Sequence, residues 1–134
     1  MQRHVLDAQP QEFPRCDERR TGRPYRYAYT VPLAQEGAAL GARTHLVKHD
    51  LHTGQRECHA LGAHRFPGEF VFVPRHPDAA EDDGWLMGLV VDMARQTTAL
   101  VILDAHRFTE PPLALVHLPH RVPAGFHGNW VATP

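Results

Sequence analysis

The chain has 134 residues, 43% hydrophobic and 22% charged, which is enough to bury one core and too apolar for compositional disorder. A formal net charge of −1 excludes the basic surface a nucleic-acid groove needs, and no apolar run approaches the roughly 20 residues of a spanning helix. Cys16 and Cys58 lie far apart with no Cys-x-x-Cys pair, which argues against a disulfide framework or structural zinc and for a reducing, cytoplasmic setting.

Residues 1–23 read as an irregular lead-in, with Pro10, Pro14, Gly22 and a charge run from Arg15 to Arg20. Tyr25, Tyr27 and Tyr29 then alternate with Arg26 and Ala28, and Val31 and Leu33 continue the same face. That period of two predicts a half-buried strand. Thr44 to Lys48 is a second strand, and Gln55 to Leu61 returns from it. The intervening His49-Asp50-Leu51-His52-Thr53-Gly54 has the turn residues of a hairpin. Four apolar runs follow: Phe70 to Val73, Trp85 to Val91, Thr98 to Leu103 and Leu113 to Leu118. They are rich in β-branched and aromatic residues, as strands are. Loops at 74–84, 92–97 and 104–112 carry the Pro, Gly and Asp that separate them. No segment keeps a helical period, and residues 34–42 are too short and glycine-broken for a helix. The expectation is an all-β chain of antiparallel strands. Spacing alone leaves a sandwich, a barrel or about two four-stranded propeller blades open.

The chain holds 11 histidines. His45, His49, His52, His59 and His64, with Cys58, crowd the hairpin and raise the alternative of a histidine-rich metal module. No pair has finger-like or His-Glu-x-x-His spacing, so these are expected as solvated hairpin residues. His106, His117 and His120 have no partner motif. Near the carboxy end, Gly125-Phe126-His127-Gly128 sets one imidazole between glycines. Glycine lets other groups approach the backbone closely, so such an imidazole can point at a fixed centre.

Three stretches together resemble one family. The first is Glu12-Phe13-Pro14-Arg15 with Gly22-Arg23-Pro24-Tyr25-Arg26-Tyr27-Ala28-Tyr29. The second is Pro67-Gly68-Glu69-Phe70-Val71-Phe72-Val73-Pro74-Arg75 with Glu81-Asp82-Asp83-Gly84-Trp85. The third is Leu118-Pro119-His120-Arg121-Val122-Pro123 with Gly125-Phe126-His127-Gly128. In order and spacing, over Glu12 to Trp130, they are similar to the C-terminal part of the carotenoid cleavage oxygenases.

The resemblance implies a seven-bladed β-propeller with Fe(II) on its axis, bound by four histidines. Residues 1–134 would then be a C-terminal portion of about two blades, with the other blades upstream. The last iron ligand of the family maps to His127. Two of three glutamates that hydrogen-bond the ligand imidazoles map to Glu12 and Glu69. The family's proline after that second glutamate is Phe70 here. Phe126, beside the ligand position, is expected on the substrate side. The implied reaction inserts O2 across a conjugated C=C bond of a carotenoid or apocarotenoid, giving two carbonyl products. A lignostilbene-type substrate and an inactive truncated remnant are the alternatives. One histidine of four cannot hold iron usefully, so the isolated chain is expected to be inactive. No nucleic-acid partner is expected, and any membrane-facing patch would lie outside this stretch.

Overall fold

The computed structural model describes residues 5–33 and 44–132. Among the described residues, eight strands form two four-stranded antiparallel sheets, each a meander in chain order. The first holds β1 (Gln11–Arg15), β2 (Tyr27–Pro32), β3 (His45–Asp50) and β4 (Arg56–Ala60). The second holds β5 (Arg65–Pro74), β6 (Gly84–Asp92), β7 (Thr97–Asp104) and β8 (Ala114–His117). A single 3-10 turn, Glu18–Arg20, follows β1. Each sheet has the form of a propeller blade.

The alternating positions fold as their pattern predicts. Tyr29 and Val31 of β2 and Leu46 of β3 face Phe70 and Phe72 of β5, Leu86 and Val90 of β6, and Val101 and Leu103 of β7. Phe13, Ala105 and Phe108 complete this core, so it lies between the two sheets. Tyr29 and Phe72 stack with ring centroids 6.1 Å apart. The hairpin turn between β3 and β4 forms around Asp50, whose Oδ1 accepts from the His52 and Thr53 amides, and Gly54 takes φ +71°. That backbone region suits glycine.

Two strands depart from the expectation. Residues 1–23 are not wholly irregular, because Gln11–Arg15 pairs with β2 as β1. Pro14 hid it. The strand lies at the sheet edge and shifts register between Glu12 and Arg15, with Phe13 at φ +53°, and edges and bulges are where proline is tolerated. β5 begins at Arg65 rather than Phe70 and absorbs Pro67 and Gly68 in a second register shift, between Pro67 and Phe70. Residues 34–42, expected to lack a helix, fall outside the described residues. No helix of the described residues is long and apolar enough to cross a membrane.

Candidate functional site

The two bulges aim their side chains toward one another. Glu69 lies within the irregular part of β5, and its side chain is only 6% exposed. A buried carboxylate needs partners, and this one has several. Its Oε2 accepts from the Gly128 amide at 2.9 Å and from Arg15 Nη2 at 3.1 Å. Its Oε1 lies 2.8 Å from Arg15 Nε, an ion-pair contact without hydrogen-bond alignment, and 3.4 Å from His127 Nδ1. Burial pushes the Glu69 carboxyl up. The Gly128 amide, the Arg15 guanidinium and the His127 imidazole outweigh that and hold it below the usual carboxylate range.

The segment carrying His127 has no regular secondary structure and is moored to the second sheet. The Leu118 amide donates to Thr98 O at 2.9 Å, and Thr98 Oγ1 both donates to Val122 O and accepts from its amide, each at 3.0 Å. The chain then runs to Gly128 and its bond with Glu69. The His127 ring meets Phe13 edge-on, with centroids 5.8 Å apart. Its side chain is 77% exposed. With Nδ1 turned to a carboxylate, Nε2 is left as the nitrogen that can bind a metal.

Of the residues expected at the site, the structure brings Glu69 and His127 together. Glu12 is half-buried on β1, opposite Val31. Phe126 is 81% exposed and, with Trp130, lines one side of a groove of about 330 Å³. The other side is the outer face of the second sheet, with Val71, Met87, Leu89 and Leu100; Glu69 and His127 also line it. Phe70, in the family's proline position, turns inward, and its ring lies over Gly88 of β6 so closely that a Cβ there would overlap it.

Three expectations need correction. A Cβ built on Gly125 or Gly128 meets nothing within 4 Å among the described residues, and neither glycine has a left-handed φ, so within these residues no close approach requires glycine at either position. His49 and His59 are buried rather than solvated. His49 Nε2 lies 2.8 Å from Gln11 Oε1, and His59 Nδ1 donates to Phe108 O at 2.8 Å. Burial holds both imidazoles below the usual histidine range. Finally, Arg15, expected only as the start of a charge run, is the ionic partner of Glu69. Its position at the end of the Glu-Phe-Pro-Arg stretch was the available signal.

Among the described residues no group of three or more His, Cys, Asp or Glu side chains could hold a metal ion. The Glu69–His127 pair nonetheless has the carboxylate–imidazole arrangement that orients a metal-binding histidine. The donor chemistry therefore fits one corner of a histidine-bound ferrous centre.

The family model described as retinal pigment epithelial membrane protein matches residues 1–132. A carotenoid cleavage oxygenase of Mycobacterium tuberculosis is 46% identical over 132 residues, 95% of this chain and 26% of that protein. The apocarotenoid-15,15'-oxygenase of Synechocystis is 38% identical over 122 residues, 91% of this chain and 25% of that protein. The crystal structure of cobalt-substituted Synechocystis ACO superimposes with a TM-score of 0.86 at 36% identity, covering 97% of this chain and 27% of that one. The chain thus spans about a quarter of the length of the curated relatives it matches.

Proposed function

Because this chain belongs to the family of retinal pigment epithelial membrane protein and the carotenoid cleavage oxygenases, we propose that its two sheets work as adjacent C-terminal blades of a propeller oxygenase. That oxygenase splits a conjugated C=C bond of a carotenoid or apocarotenoid with O2 to give two carbonyl products. The observation that carries the reading is the Glu69–His127 pair, in a chain 46% identical to a carotenoid cleavage oxygenase.

His127 would hold Fe(II) through Nε2, with three further histidines supplied from outside these 134 residues. Bound iron would supply the oxygen chemistry. The rest falls to the chain. Glu69 keeps the Nδ1 proton on the side away from the metal and returns negative charge to an imidazole that itself carries none. Glu12 would support another ligand imidazole in the same way. Phe126 and the groove, lined largely by apolar side chains, would offer the substrate an apolar surface. A lignostilbene-alpha,beta-dioxygenase of Sphingomonas paucimobilis is 35% identical over 127 residues, so a stilbene is the second substrate class to assay.

The test is turnover of an apocarotenoid and of a hydroxystilbene, with product carbonyls counted, in the oxygenase that carries this chain and in its His127→Ala variant. Cleavage by the first and none by the second is expected. The isolated 134-residue chain is expected to retain no stoichiometric iron. A His127→Ala protein that keeps iron and turnover overturns the reading.

A further inference from the structure

The partners of Glu69 do not end at His127. Arg15 Nη2, which bonds Glu69 Oε2, also donates to the Gly128 carbonyl in a short contact. The far side of the same guanidinium donates from Nη1 to Glu18 Oε1 at 2.6 Å. The other oxygen of Glu18 accepts from Asn129 Nδ2 at 3.3 Å. The contacts therefore form a closed circuit: His127 to Glu69, Glu69 to Arg15, Arg15 to Glu18, Glu18 to Asn129, and two residues of backbone back to His127. Every residue of the segment 127–129 is held in it, although the segment belongs to no strand or helix.

We propose that Arg15 is the positioning residue of the Glu69–His127 pair, fixing the carboxylate and the 127–129 backbone in the single register that sets Oε1 against Nδ1. This rests on the reading of His127 as a metal ligand and adds the device that aims it. The guanidinium suits the task because its planar fork has several donors in fixed directions, which a lysine ammonium lacks. Its side chain is 18% exposed, so these contacts are partly shielded from water. Without it, Glu69 loses the group that fixes its rotation, and the Gly128 amide loses a fixed acceptor. His127, which has no regular structure behind it, then samples other directions.

The experiment compares Arg15→Gln, Arg15→Lys, Glu18→Gln and His127→Ala in the oxygenase that carries this chain. Co(II) serves as an air-stable probe of the metal site, and hydrogen exchange of the Gly128 amide as a readout independent of metal and turnover. Arg15→Gln should weaken Co(II) retention about 10- to 100-fold, the usual effect of losing a group that orients a ligand. It should also speed Gly128 exchange in the metal-free protein and alter the Co(II) ligand-field spectrum. Arg15→Lys should recover little of either, because charge without the fork cannot fix the carboxylate.

Native Gly128 exchange in a folded Arg15→Gln protein overturns the proposal. So does native Co(II) retention in that variant when His127→Ala loses the metal, an outcome that leaves the ligand assignment standing. If His127→Ala binds Co(II) as well as the parent, the ligand assignment falls, and Gly128 exchange alone decides the role of Arg15. Should Arg15→Gln fail to fold, Glu18→Gln, altered at an exposed carboxylate, decides: faster Gly128 exchange supports the proposal and native exchange overturns it.

Discussion

The ammonium of Lys48, on a central strand of the first sheet, lies 3.1 Å from Oδ2 of Asp82, in the loop between the first two strands of the second. It also donates to Ala105 O at 2.8 Å and sits 4.4 Å from the centroid of the Tyr27 ring. The same loop accepts from Arg19 at Pro77 O and Ala79 O, and Glu81 accepts from the Tyr27 amide at 2.8 Å. The two blades are therefore joined by an apolar core and by a loop tied with charged bonds to the neighbouring sheet.

Lys48→Met tests that join. The lysine side chain is 6% exposed and that of Asp82 is 13% exposed, so removing the cation leaves a poorly hydrated carboxylate with the His106 imidazole, at 3.1 Å, as its remaining side-chain partner among the described residues. Breaking one partner of a buried pair typically costs about 3–5 kcal/mol. Urea denaturation of the variant should show a loss toward the lower end, since Asp82 keeps some solvent. A change under about 0.5 kcal/mol, the range of ordinary surface substitutions, would mean the ammonium is not desolvated.

Acid should destabilise the fold in two stages. Burial holds His49 and His59 below the usual histidine range, so the unfolded chain takes up protons before the folded one does. Stability should therefore begin to fall as pH drops through about 6.5, the unperturbed histidine value. A second loss should start near about pH 4, where unfolded carboxyls protonate. Burial raises the Asp104 carboxyl, but the Arg107 amide and guanidinium and the His106 amide hold it low, so its contribution disappears as pH falls toward its folded value. Thermal midpoints from pH 8 to 3.5 would resolve the two stages. His59→Gln, which can still donate to Phe108 O, should shrink the first stage and leave the second. An unchanged first stage would remove His59 as its source.

How legible this was depended on the range of the interactions. The tyrosine strand announces itself by alternation, β3 and β4 by the turn residues between them, and the last four strands by their β-branched and aromatic runs, all signals carried within the segment itself. β1 did not, because a proline and a bulge erase the period of two. His49 and His59 read as solvated because what satisfies them, Gln11 Oε1 and Phe108 O, lies 38 and 49 residues away. Arg15 shows the same limit: its partner Glu69 is 54 residues distant, and an arginine in a charge run looks exposed until the fold supplies that carboxylate. Glu69 and His127 were singled out by motif resemblance, since nothing in local pattern joins residues 58 apart.

Glu69→Gln separates charge from shape at the candidate site. The amide keeps an acceptor for the Gly128 N–H but presents no net charge to Arg15 and His127. Metal retention in the oxygenase carrying this chain should fall about 10- to 100-fold. Glu69→Asp keeps the charge and withdraws it by one methylene, so it should fall between the native protein and Glu69→Gln. Competition with a chelator, followed by iron analysis, measures both. Equal retention in all three would show that the carboxylate does not support the imidazole.

The glycines give opposite predictions for substitutions of identical size. At Gly88 the Phe70 ring occupies the space a methyl group would need, and Phe70 is itself core, 3% exposed. Gly88→Ala must push that ring off its site between the sheets, and overpacking of this kind costs about 1–3 kcal/mol. At Gly125 and Gly128 the added methyl meets nothing within 4 Å among the described residues, and neither backbone is left-handed. Alanine there should change stability by less than about 0.5 kcal/mol, as at other open surface positions. Denaturation midpoints of the three variants settle the contrast. A Gly88→Ala protein as stable as the parent would show that Phe70 has another resting place, and that its position opposite Gly88 is not what spaces the second sheet from the first.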